Sequence, residues 1–158
     1  MLPLKRILLA EDSRRDAELT LAALEEHPLI NEVIVVHDGA EALDYLYQRG
    51  EFTNVAKAHP AVVILDLKMP KVGGLEVLRQ MKADPNLKWI PVVILTSSRE
   101  EQDLAHSYQL GANAYVVKPV DFDEFVTSIQ QLAIFWATIN EPPPNTVKAD
   151  QPDALSSP

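Results

Sequence analysis

The chain has 158 residues, 47% hydrophobic and 23% charged, with a formal net charge of −9 and no cysteine. That fits one domain plus a tail and excludes a disulfide framework and a thiolate-bound metal. The acidic balance argues against nucleic acid or an anionic membrane as a partner, since both attract basic patches. No stretch reaches membrane-spanning length, and the first apolar run is broken by Glu11-Asp12 too early for a signal-peptide core, so a soluble, cytoplasmic protein is expected.

Strands and helices alternate along the chain. Ile7-Leu8-Leu9-Ala10 reads as a buried strand ending on Glu11-Asp12. Ser13 with Asp16 three residues on resembles a capping box, and Ala17, Leu21 and Leu24 follow at helical spacing until His27-Pro28. Val33-Ile34-Val35-Val36 is a second strand. Asp38-Gly39 then turns the chain into a helix carrying Leu43, Leu46 and Tyr47 that ends near Gly50. Residues 51–60 form a long polar loop. Val62-Val63-Ile64-Leu65 ends on Asp66, and Pro70 and Gly73-Gly74 break the chain before a helix with Leu75, Leu78 and Met81, stopped at Asp84-Pro85.

Pro91 opens the fourth strand, Val92-Val93-Ile94-Leu95, which ends on Thr96. The next helix, residues 100–110, offers only Leu104 and Tyr108 as apolar anchors before Gly111 caps it, which predicts a weakly held element. Tyr115-Val116-Val117 ends on Lys118. Asp121 caps the last helix, whose core stripe is Phe122, Phe125, Val126, Ile129, Leu132, Ala133 and Trp136. From Asn140 the chain is rich in Pro, Ser and Asp, with Pro142-Pro143-Pro144 extended, so residues 1–139 are expected to be the domain and 140–158 a flexible tail.

Five apolar runs, each followed by a helix, predict an α/β fold: a (βα)5 doubly wound parallel sheet with the flavodoxin-like strand order 2-1-3-4-5. Ligands of such sheets bind outside the carboxyl ends of the strands, so Glu11, Asp12, Asp66, Thr96 and Lys118 are expected to converge. Each alone has a plain structural reading. Acids favour a helix start, Asp is common in turns, Thr is a good β residue and a lone Lys is usually solvated. Taken together, three carboxylates repel phosphate unless a hard cation such as Mg2+ intervenes. Asp66 can then act as a nucleophile on phosphorus, Lys118 can neutralise the growing charge and Thr96 can donate to a phosphoryl oxygen.

The ordered set resembles the receiver domain of two-component response regulators over residues 6–139: Glu-Asp after the first strand, Asp after the third, Thr after the fourth, Lys-Pro after the fifth. Leu65-Asp66-Leu67-Lys68-Met69-Pro70 followed by Gly73-Gly74 is similar to that family's phosphorylation loop. Gly50-Glu51-Phe52, the Asp84-Pro85 break and the Phe135-Trp136 ending are more similar to its phytochrome-associated, single-domain subgroup. The resemblance implies that Asp66 accepts a phosphoryl group from a phosphohistidine on a sensor histidine kinase, here a bacterial phytochrome kinase. It implies that Glu11, Asp12, Asp66 and the Lys68 backbone carbonyl hold Mg2+, that Thr96 and Lys118 bind phosphoryl oxygens, and that Thr96 and Tyr115 form the switch. Asn or Met is more familiar where Lys68 stands, and a cation there would slow or redirect attack by water.

Output is expected through protein–protein contact. Ile134, Phe135 and Ile139 fall outside the core stripe and suggest a homodimer through the last helix. The alternative is a phosphatase resembling the haloacid-dehalogenase-like hydrolases, which place a second Asp where Lys68 stands. A flavodoxin-type ligand module is disfavoured because the first turn carries two acids instead of a phosphate-cradling loop.

Overall fold

The computed structural model describes residues 5–28, 30–53 and 59–144. Its elements, in chain order, are β1 (Lys5–Ala10), α1 (Arg14–Glu25), β2 (Ile30–Val36), α2 (Gly39–Leu46), β3 (Val62–Leu65), α3 (Gly74–Ala83), β4 (Val92–Thr96), α4 (Glu101–Gln109), β5 (Ala114–Val117) and α5 (Phe122–Ile134). A 3-10 turn at Gly50–Phe52 follows α2, and a π-helical turn, Phe135–Ile139, extends α5. All the strands are parallel, in the order β2-β1-β3-β4-β5, as the alternation predicts.

The continuous apolar strands are explained by the two layers that cover them. Successive side chains of a strand point to opposite faces. Leu8 and Ala10 of β1, with Val63 and Leu65 of β3, pack with Leu43, Leu46, Val77, Leu78 and Met81 of α2 and α3. Ile7, Leu9, Val62 and Ile64 instead join Leu24, Phe125, Ile129, Ala133 and Trp136 of α1, α5 and the turn beyond it. A strand with both faces covered has no place for a polar residue until it leaves the sheet. The sharp apolar-to-polar boundaries at Glu11, Asp66 and Lys118 are the result.

Two glycines have steric reasons. A Cβ on Gly74 would lie 2.1 Å from the Asp66 carbonyl oxygen, so α3 can begin against the end of β3 only without one. Gly111, at φ +103°, closes α4 in a left-handed conformation.

Three expectations are corrected. Leu104 and Tyr108 do not anchor α4; they are exposed, and the buried residues of that helix are Asp103 and Ser107. Phe122 is 52% exposed because it occupies the first turn of α5, ahead of the part docked on the sheet; Phe125, Ile129, Ala133 and Trp136 are buried as expected. The second strand starts at Ile30 rather than Val33: β2 is an edge strand, where Glu32 can pair outward with Arg6. Ile134, Phe135 and Ile139 are exposed. Within the expected tail Pro142 is buried, while residues 145–158, like 54–58 of the polar loop, lie outside the described residues.

Candidate functional site

Backbone pairing brings the functional residues to one level. Beyond the last strand residue the ladder continues by one bond. The Glu11 N–H donates to Val36 O at 3.0 Å, Asp66 N–H to Ala10 O at 3.0 Å, and Lys118 N–H to Thr96 O at 2.8 Å. The side chains that follow the strands therefore leave the sheet side by side. Lys118 Nζ lies 2.5 Å from Glu11 Oε1, 2.9 Å from Asp66 Oδ2 and 2.9 Å from Asp16 Oδ2. The Lys118–Pro119 peptide is trans.

Charge is unbalanced in this cluster. Three carboxylates face one ammonium, and Glu11, Asp66 and Lys118 are all buried. Burial, which disfavours the charged form, pushes the Glu11 carboxyl up from 4.5 to about 8; Lys118 pulls it down, and the neighbouring Asp66 reinforces the rise. Asp66 goes the other way. Burial would raise it, but hydrogen bonds from Lys118, Glu11 and Thr96, with the Lys118 charge, hold its pKa below the ordinary carboxylate value. Lys118 has its pKa raised: burial lowers it, and bonds to Glu11, Asp66 and Asp16 outweigh that. One proton on Glu11 thus leaves Asp66 as the ionised carboxylate.

Asp12 is exposed at the rim, and carboxylate oxygens of Glu11, Asp12 and Asp66 lie within 4.8 Å of one another. An all-oxygen, excess-negative donor set of this size fits a hard divalent cation. The Lys68 N–H donates to Asp66 Oδ1 at 3.4 Å, which fixes the loop after β3 over the carboxylate. An open cleft of about 490 Å³ lies over the cluster, lined by Asp12, Asp16, Asp66, Lys68, Thr96 and Lys118 together with Ser13 and the loop after β4.

Thr96 is buried, and its Oγ1 accepts the Ser98 N–H at 3.3 Å. Tyr115 is half-buried and donates its hydroxyl to the Ser98 carbonyl at 3.1 Å. The two residues expected to form the switch therefore share a backbone partner.

Sequence reasoning missed Asp16, Ser98 and Asp103. Ser13 Oγ does accept the Asp16 N–H, at 3.3 Å. The Asp16 carboxylate turns to Lys118, however, and the Ser13 N–H goes to Glu11 Oε2 at 3.2 Å. The sequence offered only its place three residues after the Ser13 cap, which says nothing of Lys118. Ser98 and Asp103 left no such signal, since their importance lies in contacts with each other and with Lys68.

The family model of the response regulator receiver domain matches residues 7–130. The chain belongs to the response regulator receiver family. This receiver is 40% identical over 134 residues to the response regulator Rcp1 of Synechocystis sp. (strain ATCC 27184 / PCC 6803 / Kazusa), covering 85% of the chain and 90% of the relative. The crystal structure of the Mn(2+)-bound form of Rcp1 matches it with a TM-score of 0.83 at 38% identity, over 88% of this chain and 99% of that one. The phosphorylated cyanobacterial phytochrome response regulator RcpA gives 0.84 at 39% identity, over 89% and 99%. The bacteriophytochrome response regulator RtBRR is 61% identical with a TM-score of 0.71, over 90% and 86%. The receiver is thus a signalling protein related to phytochrome response regulators. None of the helices among the described residues is long and apolar enough to cross a membrane.

Proposed function

We propose that this chain is a cytoplasmic single-domain response regulator whose Asp66 accepts a phosphoryl group from the phosphohistidine of a sensor histidine kinase, a bacterial phytochrome kinase being the partner that its relatives' names suggest. The observation that carries the reading is the meeting of Asp66, Glu11 and Lys118 within 2.9 Å contacts of the Lys118 ammonium. In the transfer, an Asp66 carboxylate oxygen forms the new P–O bond. The P–N bond to the kinase histidine breaks, and the electron pair leaves on the imidazole nitrogen.

The chain's own groups do the positioning, which phosphoryl transfer needs more than covalent machinery. The lowered pKa keeps Asp66 ionised as a nucleophile. Lys118 already contacts one Asp66 oxygen and is placed to follow the charge onto phosphoryl oxygens, while the buried Thr96 hydroxyl supplies a donor beside it. Glu11, Asp12, Asp66 and the Lys68 carbonyl would hold Mg2+, which the acidic cluster supports. Bound there, the ion supplies neutralisation of the negative charge shared by carboxylates and phosphoryl oxygens.

The same site is a switch in this proposal. When Thr96 turns its hydroxyl to the phosphoryl group, its bond to the Ser98 N–H is altered. Ser98 in turn carries the Tyr115 hydroxyl bond, so Tyr115 is free to move inward. Shifting an equilibrium from about 1:99 to about 99:1 needs about 5.5 kcal/mol. Two or three charge-assisted hydrogen bonds, at about 1.5–3 kcal/mol each, are of that size. The receiver unit spans residues 1–139 with 140–158 as a tail, and output is a homodimer through the exposed Ile134, Phe135 and Ile139.

Acetyl phosphate with Mg2+ tests the reading. A receiver gains one phosphoryl group per chain, with slow self-catalysed loss, and does not turn over phosphate esters. Multiple turnovers of an aryl phosphate would instead favour an aspartyl-phosphate phosphatase.

A further inference from the structure

The inner face of α4 carries a carboxylate where a helix packed beside a sheet normally carries an apolar residue. Asp103 is buried, and its Oδ2 accepts the Ser98 hydroxyl at 2.6 Å. The same oxygen lies 3.5 Å from Lys68 Nζ. Ser107, one turn on, closes the arrangement by donating to the Asp103 carbonyl at 2.8 Å. The hydroxyl and the ammonium on one oxygen orient the carboxylate towards Ser98 and Lys68.

Lys68 is long, its side chain is 69% exposed, and four torsions would otherwise leave its ammonium free in solvent. It follows Asp66 by two residues and lines the cleft, as does Ser98. The contact from Lys68 to Asp103 therefore ties the loop after β3 to the first turn of α4 and, through Ser98, to the loop after β4, along one wall of the cleft.

Resting on the proposed phosphorylation of Asp66, we propose that Asp103 is a positioning residue. It holds the Lys68 ammonium against the first turn of α4, so that the Lys68 side chain stands over one side of the phosphoryl position and hinders water from reaching it. The step governed is hydrolysis of the acyl phosphate. Water's oxygen forms a new bond to phosphorus, the bond from phosphorus to the Asp66 oxygen breaks with its electron pair left on the carboxylate, and water's proton passes to solvent. Lys68 screens the approach; Asp103 keeps Lys68 in place and touches nothing that reacts.

The test is the decay of phosphorylated full-length protein, loaded with acetyl phosphate and Mg2+ and freed of donor, for wild type, Asp103→Asn, Lys68→Met and the double variant. Both single variants are expected to lose the phosphoryl group about two- to fivefold faster than wild type, the range that loss of one half-exposed ion pair allows. Asp103→Asn is expected to add nothing in the Lys68→Met background. Acceleration by Asp103→Asn in both backgrounds would mean that it acts through the packing of α4, and would overturn the proposal. An unchanged or slower decay of Lys68→Met alone would overturn it too, whatever the fold of the Asp103 variant. Those outcomes leave phosphorylation of Asp66 standing, whereas a wild-type protein that takes up no phosphoryl group removes both.

Discussion

The Glu11 carboxyl gives the most quantitative handle on the site. Its pKa, pushed from 4.5 to about 8 by burial, means that the metal-free protein holds a proton on Glu11 at neutral pH while Asp66 stays ionised. A divalent cation needs both as carboxylates, so it must displace that proton. At about pH 7 such a group is protonated about nine times in ten, so binding releases close to one proton per ion. Apparent affinity then falls about tenfold for each pH unit below about pH 8, and levels off above it. Stability of the metal-free fold runs the opposite way. A carboxyl whose folded pKa lies above its unfolded value favours folding most at low pH, and that contribution is lost as pH rises from 4.5 towards about 8. Calorimetric Mg2+ titrations in two buffers of different ionisation enthalpy, from about pH 6 to about pH 9, measure affinity and proton release together. Glu11→Gln, which has no proton to lose, should bind weakly at every pH with no proton released. Wild-type affinity that stays flat below pH 8, with no protons displaced, would refute the reasoning.

Other consequences follow from the same contacts. Lys118→Met leaves Glu11, Asp16 and Asp66 without their ammonium, and should cost about 3–5 kcal/mol in the metal-free protein, with partial recovery in Mg2+; thermal unfolding with and without the ion reads both. In Gly74→Ala the new Cβ meets the Asp66 carbonyl oxygen at 2.1 Å and Leu67 Cα at 2.8 Å, so urea unfolding should show a loss of about 1–3 kcal/mol; an unchanged midpoint would contradict the close approach. Phe135→Ala removes the edge-on contact with the Trp136 ring, 4.9 Å between centroids, and should cost the monomer only about 0.5–1.5 kcal/mol yet shift sedimentation from dimer to monomer. A wild type that sediments as a monomer with and without beryllofluoride would remove the dimer.

The sheet and the ends of its strands were legible because of one physical condition. A strand covered on both faces stays apolar until it leaves the layers, so the first polar residue after each run marks the functional edge. Glu11, Asp66, Thr96 and Lys118 stand at those boundaries, and the backbone ladder carries three of them one bond past the strands. The condition fails on α4, where Asp103 and Ser107 face inward. Their polarity is met by Ser98, Lys68 and a backbone carbonyl, so hydrophobic periodicity selects the wrong face. Phe122 misleads for a related reason: its spacing fits the stripe, but the first turn of α5 stands clear of the sheet. Asp16 was legible only as part of a local cap, because the partner that claims its carboxylate, Lys118, lies 102 residues further along the chain.

Signalling by this receiver requires that Asp66, of all the carboxylates in the cluster, takes the phosphoryl group. Protein treated with acetyl phosphate and Mg2+ and then reduced with borohydride, which converts an aspartyl phosphate to homoserine, should carry the conversion at Asp66 alone when its peptides are mapped by mass. Asp66→Asn should carry none. Homoserine at Asp12 or Asp16 in place of Asp66, or none anywhere under conditions that modify another receiver, would contradict it.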